Sequence, residues 1–277
     1  MPRNNQDRLG IQNPGNDPHL EETKNPILNF VIPTEFVDLP SKGKFYPSDH
    51  PLHDVETVEI KYMTAKDTDI LTSASLLKKG VAIDRMLENV LVDKNIKVND
   101  LLIGDKNALI IGARISGFGE GYNVTVECRD CATKNDEIFN LKEAQIKEFD
   151  PDTKFSDQGT FFIKLPQTEV EVECKLLTAA DEHHLLGLAD KKRKLNLPDA
   201  IITDQCKSFI VSLNGVIERS VVDEFVESMP ARDANYLRKE YEKVRPDVDT
   251  SYSFECNLCG AENDIELPFT TTFFWPN

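Results

Sequence analysis

Two rhythms of apolar residues alternate along this chain, and each predicts a kind of element. From Val81 to Asp93 the positions Val81, Ile83, Met86, Leu87, Val90 and Leu91 fall on one face of a helix, which must pack on a sheet or a neighbouring helix. Val58 to Met63 reads as a strand, followed by a capped helix that ends near Gly80. Lys97 to Ile103 reads as a turn and short helix. Asp105 to Ser116 reads as a long buried helix, whose Ala108, Ile111, Gly112 and Ile115 suit close packing. In the second half, Thr160 to Leu165 and Glu169 to Leu177 predict a β-hairpin. Helices are expected over Ala179 to Lys194, Pro198 to Val211, Ser220 to Glu227 and Ala231 to Val244. Between the halves, Lys142 to Gly159 is expected to form a charged helix-and-turn linker, with the boundary in the Pro151 region.

At both ends the periodicity fails. Residues 1–28 are rich in Asn, Pro and charge and predict a disordered tail. Residues 29–57 predict an extended arm, because Pro33, Pro40, Pro47 and Pro51 forbid a helix and Ser41 to Gly43 reads as a turn. The chain ends on Phe273, Phe274 and Trp275. Left exposed they would form a sizeable apolar patch, so they are expected to dock on a partner subunit or on the chain's own first unit.

The same order of features occurs twice. "VEIKYMTAKDTDIL" (Val58 to Leu71) resembles "VEVECKLLTAADEHHLL" (Val170 to Leu186), each a strand followed by Thr-Ala-x-Asp. The Thr is placed to cap a helix, and the Asp three residues on suits the first turn by charge. A further helix and then a Cys-x-x-Cys knuckle follow in each half: Cys128 and Cys131 in "YNVTVECRDCATKNDEIFNL", Cys256 and Cys259 in "YSFECNLCGAENDIELPF". One knuckle supplies half of a tetrahedral thiolate site, so the two together predict a single structural Zn2+ site that ties the C-terminus to the middle of the chain. They lie much further apart than the about 15 to 20 residues of a compact zinc ribbon, as an insertion of one repeat would require. The fold expected is α+β: two tandem related units of strand, helices and knuckle hairpin, joined by a zinc-ribbon-like site of four cysteines. The units are residues 58–150 and 151–277.

Charge narrows the partners. A net charge of −16 and a pI near 4.8 oppose binding to a phosphate backbone and favour protein partners over nucleic acid. No apolar run approaches the roughly 20 residues that cross a bilayer, and the first residues lack a secretory h-region, so no membrane role is expected and a reducing cytoplasm is. There, paired cysteines read as metal ligands before disulfides. A redox role for Cys-x-x-Cys would need a helix N-terminus rather than a hairpin. Cys174 and Cys206, set among apolar residues, read as small core hydrophobes.

Other candidate chemistry weakens on inspection. Gly117, Gly119 and Gly121 follow a helix and precede a strand, the reverse of a dinucleotide loop. Adjacent His183 and His184 point in different directions on a helix and cannot share a metal. "SDHPLHD", with Asp49, His50, His53 and Asp54, reads as a polar turn. No nucleophile elbow, phosphate loop or zinc-protease motif is present, so no enzyme, no small-molecule substrate and no catalytic residue are expected.

Three segments carry a resemblance. "DLPSKGKFYP" (Asp38 to Pro47), "VEIKYMTAKDTDILTSASLLKKG" (Val58 to Gly80) and "DLLIGDKNALIIGARISGFG" (Asp100 to Gly119), with the Cys-x-x-Cys that follows, resemble baseplate hub and hub-assembly proteins of T4-type contractile-tailed bacteriophages. The resemblance implies a non-enzymatic hub subunit or hub-assembly factor whose partners are other baseplate, hub or tail proteins. It would be found in the host cytoplasm during assembly and in the virion tail if retained. Two alternatives stand beside it: a tail-assembly chaperone absent from the mature virion, and a zinc-ribbon nucleic-acid-binding module.

Overall fold

In the computed structural model, β1 (Thr34–Asp38) and β2 (Thr57–Lys61) form an antiparallel pair in which Glu35 faces Ile60 and Val37 faces Val58. Residues 31–150, 153–267 and 269–275 are described. The tail expected over 1–28 and the boundary at Pro151 lie outside them. The chain divides after Ile32, and Pro33–Asn277 is one compact unit. Between the first two strands the arm runs through turns at 40–45 and 48–54. Gly43 sits there at φ +72°, where any Cβ would lie 2.3 Å from the Val55 nitrogen.

The helix expected up to Gly80 is broken into α1 (Ala65–Thr72) and α2 (Ala74–Lys79) at Ser73, whose backbone is extended. Thr72 already turns its hydroxyl back to the Thr68 carbonyl, the local competition through which Thr and Ser weaken a helix. In α3 (Ala82–Val90) the predicted face is buried through Met86, Leu87 and Val90. After a single 3-10 turn at Val98–Asp100, α4 (Ile103–Phe118) runs through the middle of the fold. The first knuckle hairpin is β3 (Gly121–Glu127) with β4 (Lys134–Asn140).

The linker expected over Lys142 to Gly159 holds no α-helix among its described residues. A 3-10 turn at Leu141–Glu143 leads into β5 (Gln145–Lys147), which pairs with a strand a hundred residues away. A three-residue strand has no room to show a period, so pairing alone defines it. The predicted hairpin is β6 (Phe161–Lys164) and β7 (Glu171–Cys174), and α5 (Ala179–Lys194) follows as expected. The next helix is shorter than Pro198 to Val211. α6 (Ile201–Phe209) gives way to β8 (Ile210–Leu213), the third strand beside β7, because buried Ile210, Ser212 and Leu213 are taken up by the sheet. Then come α7 (Arg219–Ser228), α8 (Ala231–Val244), β9 (Asp247–Asp249) against β5, and the second knuckle hairpin, β10 (Ser251–Glu255) with β11 (Glu262–Glu266). The fold is α+β.

Both Thr-Ala-x-Asp segments are capping boxes. The Thr64 N–H donates to Asp67 Oδ2 at 2.8 Å, and the Thr178 N–H to Asp181 Oδ2 at 3.0 Å. Asp67 is also buried, and the Asn89 amide donates to it, tying α1 to α3. The halves interlock at the second box: the Ile103 N–H donates to the Leu177 carbonyl at 3.1 Å and the Ala179 N–H to the Leu101 carbonyl at 2.8 Å. One continuous apolar core therefore runs from Leu39 and Ile60 through Leu101, Leu109 and Ala113 to Val172, Cys174, Cys206 and Leu237. The aromatic tail joins it. Phe273 and Phe274 are buried, Phe273 stacks on Tyr122 at 5.2 Å, and Arg114 Nε donates to the Phe273 carbonyl at 3.3 Å.

At the start of α4 the fully buried Asp105 carboxylate holds the arm. It accepts from the Ser41 N–H at 3.0 Å, the Ser41 hydroxyl at 2.6 Å and the Tyr46 hydroxyl at 2.8 Å, while the Tyr46 oxygen accepts from the Leu102 N–H. Burial outweighs these donors and raises the Asp105 pKa above its ordinary value. Asp105→Ala leaves the donors unpaired and is expected to cost about 3 kcal/mol in urea unfolding. The folded carboxyl binds its proton more tightly than the unfolded one, so its contribution is largest below the unfolded value and falls as pH rises through the folded one. The wild-type advantage over Asp105→Ala should therefore be larger at pH 4 than at pH 7; a gap that widens with pH would contradict the burial argument.

Candidate metal centre

The two hairpins end in turns of identical construction. In the first, the Cys128 N–H donates to the Thr133 carbonyl and the Ala132 N–H to the Cys128 carbonyl, both at 2.9 Å; in the second, Cys256, Ala261 and Gly260 repeat both bonds at 2.9 Å. The residue after the second cysteine is left-handed in each, Ala132 at φ 55° and Gly260 at φ 69°. Only the second turn places glycine where that conformation is unstrained. This geometry turns both sulfurs of each knuckle to one side, as the spacing predicts.

Facing each other, the knuckles bring Cys128, Cys131, Cys256 and Cys259 together. Their sulfurs all lie within 4.8 Å of one another, with Cys128 3.7 Å from Cys259 and Cys131 3.6 Å from Cys256. A tetrahedral ion with metal–sulfur bonds of about 2.3 Å sets its sulfurs roughly 3.8 Å apart, so this quartet can hold one metal ion. Cys128 and Cys256 are buried, and Cys131 and Cys259 face solvent.

Electrostatics favour a cation here. Backbone N–H groups of Cys259 and then Leu258 lower the Cys256 thiol to about 6, and the Cys131 N–H leads the lowering of Cys128. At Cys259 the Ala261 N–H acts in the same direction, but the sulfurs of Cys131, Cys256 and Cys128 outweigh it and push that thiol up to about 12. The clustered thiols cannot all ionise unaided, and a cation removes that conflict.

Two asparagines complete the centre, and the sequence reading missed them. Asn135 Nδ2 approaches Cys256 Sγ at 3.7 Å, while its Oδ1 accepts from the Asn257 N–H at 2.9 Å. Asn263 Nδ2 approaches Cys128 Sγ at 3.4 Å, while its Oδ1 accepts from the Arg129 N–H at 2.9 Å. Each side chain crosses from its own hairpin to the first cysteine of the other, so the arrangement has an approximate two-fold symmetry. Both asparagines are buried. The signal was present: "CRDCATKN" and "CNLCGAEN" each carry Asn four positions after the second cysteine.

The remaining candidates stay apart from this centre. Among the described residues, the four cysteines are the one group of three or more such side chains close enough to share an ion. His183 Nε2 lies 3.0 Å from Asp84 and His184 is exposed. His50 stacks on Tyr46, and His53 Nδ1 lies 2.7 Å from the Tyr46 carbonyl oxygen in the polar turn. Gly117 and Gly119 end the helix, and Gly121 opens β3. Cys174 and Cys206 are buried, and burial raises both thiols, Cys206 to about 11.

A family model described as "T4 bacteriophage base plate protein" matches residues 32–275. Comparison with curated proteins and with solved structures gives no match.

Asn135→Ala and Asn263→Ala each leave a backbone N–H without its acceptor and are expected to cost about 1–3 kcal/mol in denaturant unfolding, by similar amounts. A cost confined to one of them would break the symmetry described above.

Proposed function

The chain belongs to the T4 bacteriophage base plate protein family, and from that premise we propose that it is a subunit or assembly factor of the baseplate hub, acting through protein–protein contacts and performing no catalysis. The observation that carries this reading is the extent of the match. It spans 32–275, so the base plate role attaches to the whole folded unit rather than to one appended module. The hub is the finer step, and the arm and α4 segments that resemble hub and hub-assembly proteins support it.

In this reading Cys128, Cys131, Cys256 and Cys259 are the ligands of a structural Zn2+. Four soft sulfur donors at tetrahedral spacing, with each buried sulfur backed by an asparagine amide, suit zinc. The site would fix both hairpin tips, including Leu258, which is 72% exposed, as rigid contact surfaces. Rigid surfaces bind with less ordering cost. Two tandem related units, 58–150 and 151–277, are part of the same proposal, supported by the paired capping boxes and paired knuckles. The net charge of −16 favours protein partners over nucleic acid.

Metal analysis of the purified protein should find one zinc per chain. Cys128→Ser and Cys256→Ser should each reduce that content and lower the melting temperature, because binding energy at such a site is folding energy. Full zinc retained in either variant would refute a shared site. For the role itself, mass spectrometry of mature tails is decisive when paired with deletion of the gene. Presence in tails supports a hub subunit. Absence, with defective tails on deletion, supports an assembly factor or chaperone. Normal tails after deletion would overturn the proposal.

A further inference from the structure

Among the described residues no strand pairs with the second edge of β1, and that edge borders a groove of about 290 Å³. Its lining includes the successive residues Glu35, Phe36, Val37 and Asp38 but no residue of β2, so the groove follows the side of β1 turned away from its partner strand. Ile111 and Gly112 of α4 and Ile146 of β5 also line it. The hydrogen bonds that flank the pair, Tyr62 N–H to the Pro33 carbonyl and Leu39 N–H to the Glu56 carbonyl, fix its phase. In an antiparallel ladder these pairs alternate, so Glu35 and Val37 bond inward while Thr34, Phe36 and Asp38 direct their N–H and C=O groups away from β2, those of Phe36 and Asp38 on the groove side. Phe36 is 69% exposed. An apolar, unpaired edge is a template for another strand.

A second observation specifies the occupant. Glu35 Oε1 is shielded from solvent and has no hydrogen-bond partner among the described residues, and burial raises the pKa of this carboxyl. Lys142, the nearest cation, is committed to Glu120 at 2.7 Å. A second copy of this chain does not answer the need, because antiparallel self-pairing centred on Phe36 puts Val37 opposite Glu35. We propose that the β1 edge is a docking site for an extended apolar segment of a partner protein, which adds a strand to β1 and presents a lysine or arginine to Glu35. The mode is strand addition: main-chain bonds supply affinity and alternate side chains supply specificity. The inference rests on the reading that the chain works through protein contacts, but it does not depend on which tail component is the partner.

The test uses the full-length chain and a soluble nine-residue peptide of alternating threonine and valine with one central lysine. Amides of Thr34, Phe36 and Asp38 should exchange freely in the protein alone, and become protected and shift in NMR spectra on titration. A glutamate-for-lysine peptide should bind roughly tenfold more weakly, the loss expected of one charge-assisted hydrogen bond. Glu35→Gln should abolish that preference without changing the melting curve. Ile146→Asp, also in the groove lining, should weaken both peptides. Any of four results overturns the proposal: edge amides already protected without peptide, no shift at millimolar peptide, equal binding by a peptide N-methylated at every residue, or a concentration-dependent dimer abolished by Phe36→Lys. None of these alters the outcome of the tail analysis, so the two readings fail separately.

Discussion

The contact between two hairpin tips, whose cysteines lie 125 residues apart in the chain, is the constraint on which the rest of the architecture depends. Closing a flexible loop of that length costs about 4 kcal/mol in entropy before any additive constant. The four hydrogen bonds by which Asn135 and Asn263 cross between the hairpins, at about 1 kcal/mol net each, offset a cost of that order. Crowded thiols add nothing while they compete for protons. An ion bound by all four sulfurs would add its binding energy to folding. The crossed asparagines set direction, selecting which hairpin meets which and in what register.

Helix α4 distributes that constraint through the unit. Within eleven residues it fixes segments from both ends of the fold. Gly104 lets the Pro246 carbonyl approach to where a Cβ would be, and Asp105 holds Ser41 and Tyr46. Lys106, itself buried, bridges Asp84 and Glu182 at 3.0 Å each, and the Asn107 amide donates to Asp247. Val37 closes over Gly112, and Arg114 donates to carbonyls of Gly119, Gly121 and Phe273. A helix used on every side cannot show a clean amphipathic stripe, and its polar residues are anchors rather than a solvated face. Removing one partner of such a buried network costs more than the contact is worth, because the other partner is left charged or unpaired.

What the sequence reveals follows from this division of labour. Helices with a solvated face, such as α3 and α8, and a helix opened by a capping box, α5, lie where periodicity and punctuation put them. The cysteine quartet is legible because its spacing is local chemistry. Strands β5, β8 and β9 are not legible, since three or four residues carry no period and only their long-range partners define them. Asp105 and Asp233 look like surface acids in the sequence. Both are fully buried, one holding the arm and the other accepting from the Gln167 and Thr168 N–H groups across the fold. Asn135 and Asn263 belong to an intermediate class, visible only when the two knuckles are aligned on their cysteines.

Charge then bears on how such a unit meets its neighbours. At −16 the chain repels its own copies over a distance of about 8 Å at physiological salt, so contacts with unlike proteins are favoured over self-association. Lys106 is buried between Asp84 and Glu182, while the partly exposed Lys175 and Lys192 pair with Asp181 and Asp204. The exposed apolar residues are spread over several elements: Phe36 on β1, Ile138 on the first hairpin, Leu195 after α5, Ile217 before α7 and Leu258 on the second knuckle. A single large patch would promote aggregation in an unassembled protein. Scattered anchors on a chain of net negative charge avoid such a patch, since each exposes only a small apolar area. Rigidity makes this arrangement workable, because widely separated contacts add to one another only when the frame that spaces them does not yield.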